Sequence, residues 1–193
     1  MDGDRAYTAM VKRRLRQVAR AHGGMYTSGL ITKKWEHGRF TDPYMREDLQ
    51  DFGVLIDTLE CATNWEDLPR VHADVRAFVK SRARTVCMTH MSHCYPQGAN
   101  LYFIFIAKMD ANEFYEFHRG ILDAIQESGA TMSHHHGIGK MTAPWLEGQL
   151  GSDELEVFRA LKRHFDPKNI LNPGGTLALD LPNDARRLPE SRS

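Results

Sequence analysis

The stretch Ser133-His134-His135-His136-Gly137-Ile138-Gly139-Lys140 concentrates more chemistry than any other part of the chain. Three consecutive imidazoles can donate, accept, shuttle protons or bind metal near neutral pH. The glycines that follow permit a turn or a close approach of backbone to a ligand, and Lys140 ends the run with a cation. The tract alone allows three readings: a ligand-contacting or catalytic loop, a solvated loop, or a metal site. In an extended strand successive side chains point to opposite faces. His134 and His136 would then share a side, and zinc would need further ligands from elsewhere. The apolar segment upstream and the glycines downstream favour the first reading.

Two further residues could join it. Tyr102 is a phenol in an apolar row, Leu101-Tyr102-Phe103-Ile104-Phe105-Ile106, and a buried hydroxyl needs a partner, most often a backbone carbonyl. Arg46 lies beside an apolar stripe of Met45, Leu49 and Phe52. It is either a salt-bridge partner or an anion clamp, because its planar fork matches carboxylate or phosphate. Periodicity alone favours the salt bridge.

The elements that must position these groups follow from hydrophobic spacing. Residues 5–22 read as a helix with Tyr7, Met10, Val11, Leu15 and Val18 on one side and Lys12, Arg13, Arg14 and Arg16 on the other. It has no evident lead-in or cap, and its basic cluster is expected to be a solvated face. Leu30, Ile31 and Trp35 suggest a short strand. Asp42-Pro43 marks a helix start, with a capping carboxylate before a proline at the first helical position. Residues 54–61 read as a strand, and Asn64 as the cap of a helix whose core face is Leu68, Val71, Val75, Phe78 and Val79. Residues 84–91 and 99–107 read as strands. Both registers of the second are apolar, which predicts cover on both faces. A helix over 112–128 closes at Gly129. A last helix over 152–164 turns Leu155, Phe158 and Leu161 inward, and the turn-rich segment from Asp166 to Gly175 follows. Residues 180–193 are polar and expected to be a disordered tail. Without a regular βαβ alternation, the order predicts an α+β domain with a mostly antiparallel sheet.

The 193 residues suffice for one domain with a sizeable core. Lys plus Arg and Asp plus Glu both number 25, a balance that gives no pull toward nucleic acid. Three cysteines, Cys61, Cys87 and Cys94, lack metal-type spacing and fit a reduced cytoplasmic chain better than a disulfide framework. No uninterrupted apolar run is long enough to span a bilayer, so a soluble chain is expected.

Several of these segments, taken as a set, resemble one family. The run 133–140, then Trp145, then Asp166-Pro167-Lys168-Asn169-Ile170-Leu171-Asn172-Pro173-Gly174 is similar to the C-terminal cap domain of FAD-linked oxidases, which are flavoproteins of the vanillyl-alcohol-oxidase type. The triple histidine is most like the alkyldihydroxyacetonephosphate synthase branch. His93-Cys94-Tyr95 with Leu101-Tyr102-Phe103, and Pro43-Tyr44-Met45-Arg46 with Thr58-Leu59-Glu60 and Trp65, strengthen the likeness.

The resemblance implies a substrate domain over 1–179 that caps a separate FAD-binding domain. Upstream of Gly23 there is one helix and no room for a nucleotide-binding fold, so the chain reads as the cap without its FAD half. Alone it is expected to bind FAD weakly or not at all. Carried over, Tyr102 matches the family's acid/base tyrosine, with His134, His135 and His136 beside it. His135, His136, Gly137 and Asn172 would border the flavin, and Arg46 would grip a substrate phosphate; no metal is implied. The implied reaction exchanges the acyl group of acyl-dihydroxyacetone phosphate for a long-chain alcohol, a step of ether-lipid biosynthesis. The partners would be a phosphate-bearing lipid substrate, the alcohol and the missing domain, with room for a peripheral membrane contact and a homodimer. The alternatives are a domain of an FAD-dependent 2-hydroxy-acid dehydrogenase and an inactive, metal-binding remnant.

Overall fold

The computed structural model describes residues 3–25, 29–41, 44–175 and 177. The chain divides into two compact units, residues 1–45 and 46–193. The first holds helix α1 (Arg5–Ala21) and helix α2 (Leu30–Gly38). Asp4 caps α1 by accepting the Tyr7 N–H at 2.9 Å, so the expected lack of a cap does not hold. Lys12, Arg13, Arg14 and Arg16 are exposed, as a solvated face requires. The strand expected around Leu30, Ile31 and Trp35 is instead α2. Ile31 and Trp35 are four residues apart and share a helical face, a spacing that also occurs by chance in short strands.

The second unit contains the sheet. Helix α3 (Tyr44–Gln50) leads to strand β1 (Val54–Asn64), helix α4 (Leu68–Ser81), strands β2 (Val86–Ser92) and β3 (Gly98–Lys108), and helix α5 (Ala111–Glu127). A 3₁₀ turn (Ala143–Trp145), helix α6 (Leu146–Leu150) and helix α7 (Ser152–Phe165) follow among the described residues. The expected cap at Asp42 and the tail over 180–193 lie outside the described residues. Asn64 does not cap α4. It ends β1, paired with Gly98, and the turn through Trp65 and Glu66 puts Asp67 at the start of α4.

The three strands form an antiparallel sheet in the order β1-β3-β2, which is the α+β architecture expected. Leu101, Phe103 and Phe105 of the central strand are buried with Leu59, Cys61, Val71, Val75, Val79, Ile121 and Ile125. The residues of α4 and α5 in that set recur at helical spacing, so both helices lie on this face. The helices close together because Gly120 of α5 leaves room for the Phe78 ring of α4, which a Cβ would strike.

Among the described residues of this unit, cover on both faces is not found. Tyr102, Ile104 and Ile106 are only half-buried, and Val86 and Met88 beside them are 49% and 44% exposed. The apolar second register therefore belongs to an open sheet face, a pattern that sequence cannot tell from a buried one. In α7, Leu155 is buried but Phe158 and Leu161 are 39% and 49% exposed, against the expected inward stripe.

Candidate active site

The antiparallel register puts Glu60 of β1 and His90 of β2 on either side of Tyr102, all on the open face. Beyond the β1 edge, Thr131 makes an isolated bridge with Ala62: the Thr131 N–H donates to the Ala62 carbonyl at 3.0 Å. Buried Met132 follows, its N–H held by Gln149 Oε1 at 3.0 Å. The chain after α5 is thereby delivered to Glu60.

There the histidines turn around a carboxylate. Glu60 Oε1 accepts the N–H groups of His134, His135 and His136 at 2.8, 2.7 and 2.6 Å and the Ser133 hydroxyl at 3.0 Å. Successive N–H groups converging on one oxygen make an anion-binding concavity. The tract is a bend rather than an extended strand, so the expected alternation of side chains does not apply. Gly137, at φ 80°, supplies the left-handed residue that ends it.

Glu60 is 3% exposed. Burial pushes its pKa up, but the N–H groups of His136, His134 and His135 and the Ser133 hydroxyl outweigh that and bring it from 4.5 to about 2. Its other oxygen, Oε2, receives buried Asn100 Nδ2 at 3.2 Å and lies 3.0 Å from His135 Nδ1.

The side chains complete the site. Tyr102 Oη lies 3.1 Å from His135 Nε2 and 3.3 Å from His93 Nδ1. Tyr95 Oη lies 3.0 Å from His134 Nε2. Tyr95 is held in turn by Trp65, whose Nε1–H donates to the Tyr95 carbonyl at 3.0 Å. His93 adopts φ 50°, which aims its ring back into the cluster, with its centroid 4.6 Å from that of His135. A phenol touching imidazoles can pass protons to and from a bound carbon or oxygen acid.

Of the residues expected from sequence, the structure thus brings Tyr102, His134, His135 and His136 together, with Gly137 next in the loop. Tyr102 finds an imidazole rather than a backbone carbonyl. Arg46 is elsewhere: its guanidinium is 3.7 Å from Asp57 Oδ1. Asp57 pairs with Phe105 and so points to the helix-covered face, opposite to Tyr102. The salt bridge that periodicity favoured is what forms. Asn172 sits in a different turn, where Asp166 accepts the Ile170 and Leu171 N–H groups at 2.9 Å and pairs with Lys162.

Sequence reasoning did not place Glu60, His93 or Tyr95 in the site. The signals available were the motifs His93-Cys94-Tyr95 and Thr58-Leu59-Glu60, the latter with a carboxylate set between Leu59 and Cys61.

Ring nitrogens of His93, His134 and His135 fall within 4.8 Å of one another, as do ligand-type atoms of Glu60, His135 and His136. Such spacing also admits a metal ion, but for His93, His134 and His135 the hydrogen bonds above already account for it. For a flavin the fit is one-sided. The His135 and His136 side chains are 41% and 47% exposed, and a Cβ on Gly137 would meet nothing within 4 Å. Imidazoles, a phenol and an uncovered glycine suit the rim of a flat ring system and form a single wall for it.

The family model for the C-terminal domain of FAD linked oxidases matches residues 3–176. The chain belongs to that family. An alkyldihydroxyacetonephosphate synthase of Dictyostelium discoideum is 33% identical over 151 residues, covering 73% of this chain and 24% of the relative. The synthase of Trypanosoma brucei brucei is 28% identical over 190 residues, covering 91% and 30%. A glycolate oxidase subunit GlcD of Bacillus subtilis is 45% identical over 60 residues, 31% of this chain and 13% of that protein. One solved alkyldihydroxyacetonephosphate synthase superposes with TM-score 0.52 at 29% identity, over 73% of this chain and 24% of that one. Another gives 0.61 at 23% identity, over 89% and 29%, a likeness of fold alone. The chain spans under a third of the length of the synthases it matches.

Proposed function

We propose that this chain is the substrate-facing domain of a flavin-dependent enzyme of the alkyldihydroxyacetonephosphate synthase kind, exchanging the acyl group of acyl-dihydroxyacetone phosphate for a long-chain alcohol. The observation that carries the reading is Tyr102 Oη set 3.1 Å from His135 Nε2 on an open sheet face. The triple histidine and the synthase relatives support the branch. When bound, flavin supplies the electron sink, and that chemistry is the cofactor's own.

The chain's residues handle protons and orientation. Tyr102 gives its proton to His135, and the phenolate oxygen then takes the proton beside the substrate carbonyl. His134, His136 and Gly137 border the ring system, and the half-exposed apolar residues Ile104, Val86 and Met88 exclude water from it. Arg46 serves the phosphate only if it leaves Asp57. Both partners of that pair touch solvent, at 55% and 20% side-chain exposure, and such pairs contribute about 0–1 kcal/mol, so a phosphate can displace the carboxylate.

A second reading, a flavin-dependent dehydrogenase of 2-hydroxy acids, is favoured by the likeness to the glycolate oxidase subunit. Joined to its FAD-binding domain, the enzyme is incubated with palmitoyl-dihydroxyacetone phosphate and hexadecanol. Ether product without flavin bleaching is expected. Bleaching by a 2-hydroxy acid with no ether product would replace the first reading by the second.

A further inference from the structure

We propose that Glu60 is a positioning residue: it fixes the tautomer of His135 so that a bare Nε2 faces the Tyr102 hydroxyl, making Glu60, His135 and Tyr102 one line of proton transfer. The proposal deepens the functional reading above, since it concerns the same site.

The assignment follows from what each atom can do. Glu60 Oε1 already takes four donors, Ser133 Oγ and the three histidine N–H groups. So many donors on one oxygen require a carboxylate, and an ionised carboxylate only accepts. Its Oε2 lies 3.0 Å from His135 Nδ1. The hydrogen of the neutral imidazole must therefore sit on Nδ1, because the other tautomer would set a lone pair against an anion. Nε2 is left bare, 3.1 Å from Tyr102 Oη, where it can only accept.

The neighbouring ring confirms the bookkeeping of hydrogens. His134 Nδ1 and His135 Nδ1 are 3.0 Å apart, so one of the two is bare. With the hydrogen on His135, His134 carries its own on Nε2, which is 3.0 Å from Tyr95 Oη, a hydroxyl able to accept it. This assignment is consistent with all four contacts, Glu60–His135, His135–Tyr102, His134–His135 and His134–Tyr95.

The titratable groups around His135 are Glu60 from β1, Tyr102 from β3, His93 after β2, and His134 and His136 on its own loop. His90 meets the Tyr102 ring from β2, with centroids 5.5 Å apart. Of these only Glu60 is a carboxylate, so it alone distinguishes the two tautomers.

In the step itself the Tyr102 O–H bond breaks and an Nε2–H bond forms, giving an imidazolium beside the Glu60 carboxylate. The phenolate accepts one proton from the substrate carbon, whose electron pair remains on that carbon. No oxidant enters. The order carboxylate, imidazole, hydroxyl is that of the serine hydrolases, where an amide in place of the carboxylate keeps the geometry and reverses the tautomer, at a cost of about 10⁴ in kcat.

The test needs neither flavin nor substrate. Long-range ¹H–¹⁵N correlation spectra of the 193-residue chain, ¹⁵N-labelled at histidine and recorded at about pH 8, above the ordinary imidazole range, report the tautomer of each ring. His135→Gln assigns the signal. The expected result is His135 protonated at Nδ1 in the wild type and at Nε2 in Glu60→Gln, whose amide NH₂ would face Nδ1. In the enzyme joined to its FAD-binding domain, Glu60→Gln should lower kcat by about 10³-fold with KM little changed. A wild-type His135 protonated at Nε2 overturns the proposal whether or not the variant folds. So does an unchanged tautomer in a Glu60→Gln chain that keeps native signal dispersion. Either result leaves ether synthesis standing. Failure of ether synthesis with the Nδ1 tautomer intact overturns the functional reading and leaves the tautomer.

Discussion

Glu60 and Tyr102 stand directly opposite one another across the β1–β3 ladder, side chains on the same face. His135 spans the gap between them, with one ring nitrogen 3.0 Å from the carboxylate and the other 3.1 Å from the hydroxyl. A strand pairing thus sets the distance between the buried carboxylate and the phenol.

Removing the phenol hydroxyl should leave the frame intact. Tyr102→Phe is expected to lower kcat of the FAD-containing enzyme by about 10²–10⁴-fold. Urea unfolding of the chain should shift by less than about 1 kcal/mol, since the half-exposed ring stays and only a hydroxyl is lost. Turnover at the wild-type rate would remove Tyr102 from the chemistry.

Removing the buried carboxylate should do the reverse. Glu60→Ala leaves three N–H groups without their shared acceptor, and a loss of about 3 kcal/mol or more is expected at pH 7. Because the folded-state pKa is depressed, the carboxylate's contribution is fully present above its ordinary value of 4.5. It is lost as pH falls toward about 2. Urea midpoints of wild type and variant should therefore converge as pH drops through that window. A gap that stays constant down to pH 2.5 would contradict the ionic anchoring.

Gly98 is where the β2–β3 connection meets β1. A Cβ there would run into the Thr63 carbonyl and the Asn64 Cα, both backbone. Gly98→Ala is expected to destabilise by about 1–3 kcal/mol through forced strand separation, measured as a lowered thermal midpoint. Because the Tyr95 N–H donates to the Gly98 carbonyl at 2.8 Å, the Tyr95–His134 contact should loosen too, visible as a shifted His134 ring signal.

The three thiols should react unequally. Burial, and then the Glu60 charge, push the Cys61 thiol up to about 12, and burial also raises Cys87. Cys94 is exposed. A chromogenic disulfide reagent should titrate one thiol per folded chain and three after denaturation. Two fast thiols in the native chain would mean that the β2 face is not packed as described.

Periodicity was a good guide wherever burial is one-sided and regular. It gave β1, β3, α4 and α5, because Leu101, Phe103 and Phe105 alternate and Val71, Val75 and Val79 recur every fourth residue. It misread α2, whose Leu30, Ile31 and Trp35 are 72%, 66% and 61% exposed, so burial sets no register there. The candidate site was legible as residue types, since few cores need three histidines in a row. Its geometry was not. Glu60 meets donors 73 to 76 residues further along the chain, and His93 joins them through a left-handed φ that its neighbours do not announce. Arg46 was ambiguous between salt bridge and clamp, and the partner that decides, Asp57 of β1, is not announced by the helical spacing around Arg46.

The carboxylate grips the main chain of the histidine tract, and that has a bearing on which variants the loop can tolerate. A side-chain change at 134, 135 or 136 removes ring contacts but leaves the three main-chain N–H groups that meet Glu60 Oε1. Proline is the exception: it brings no hydrogen to the anion and would unseat the whole turn.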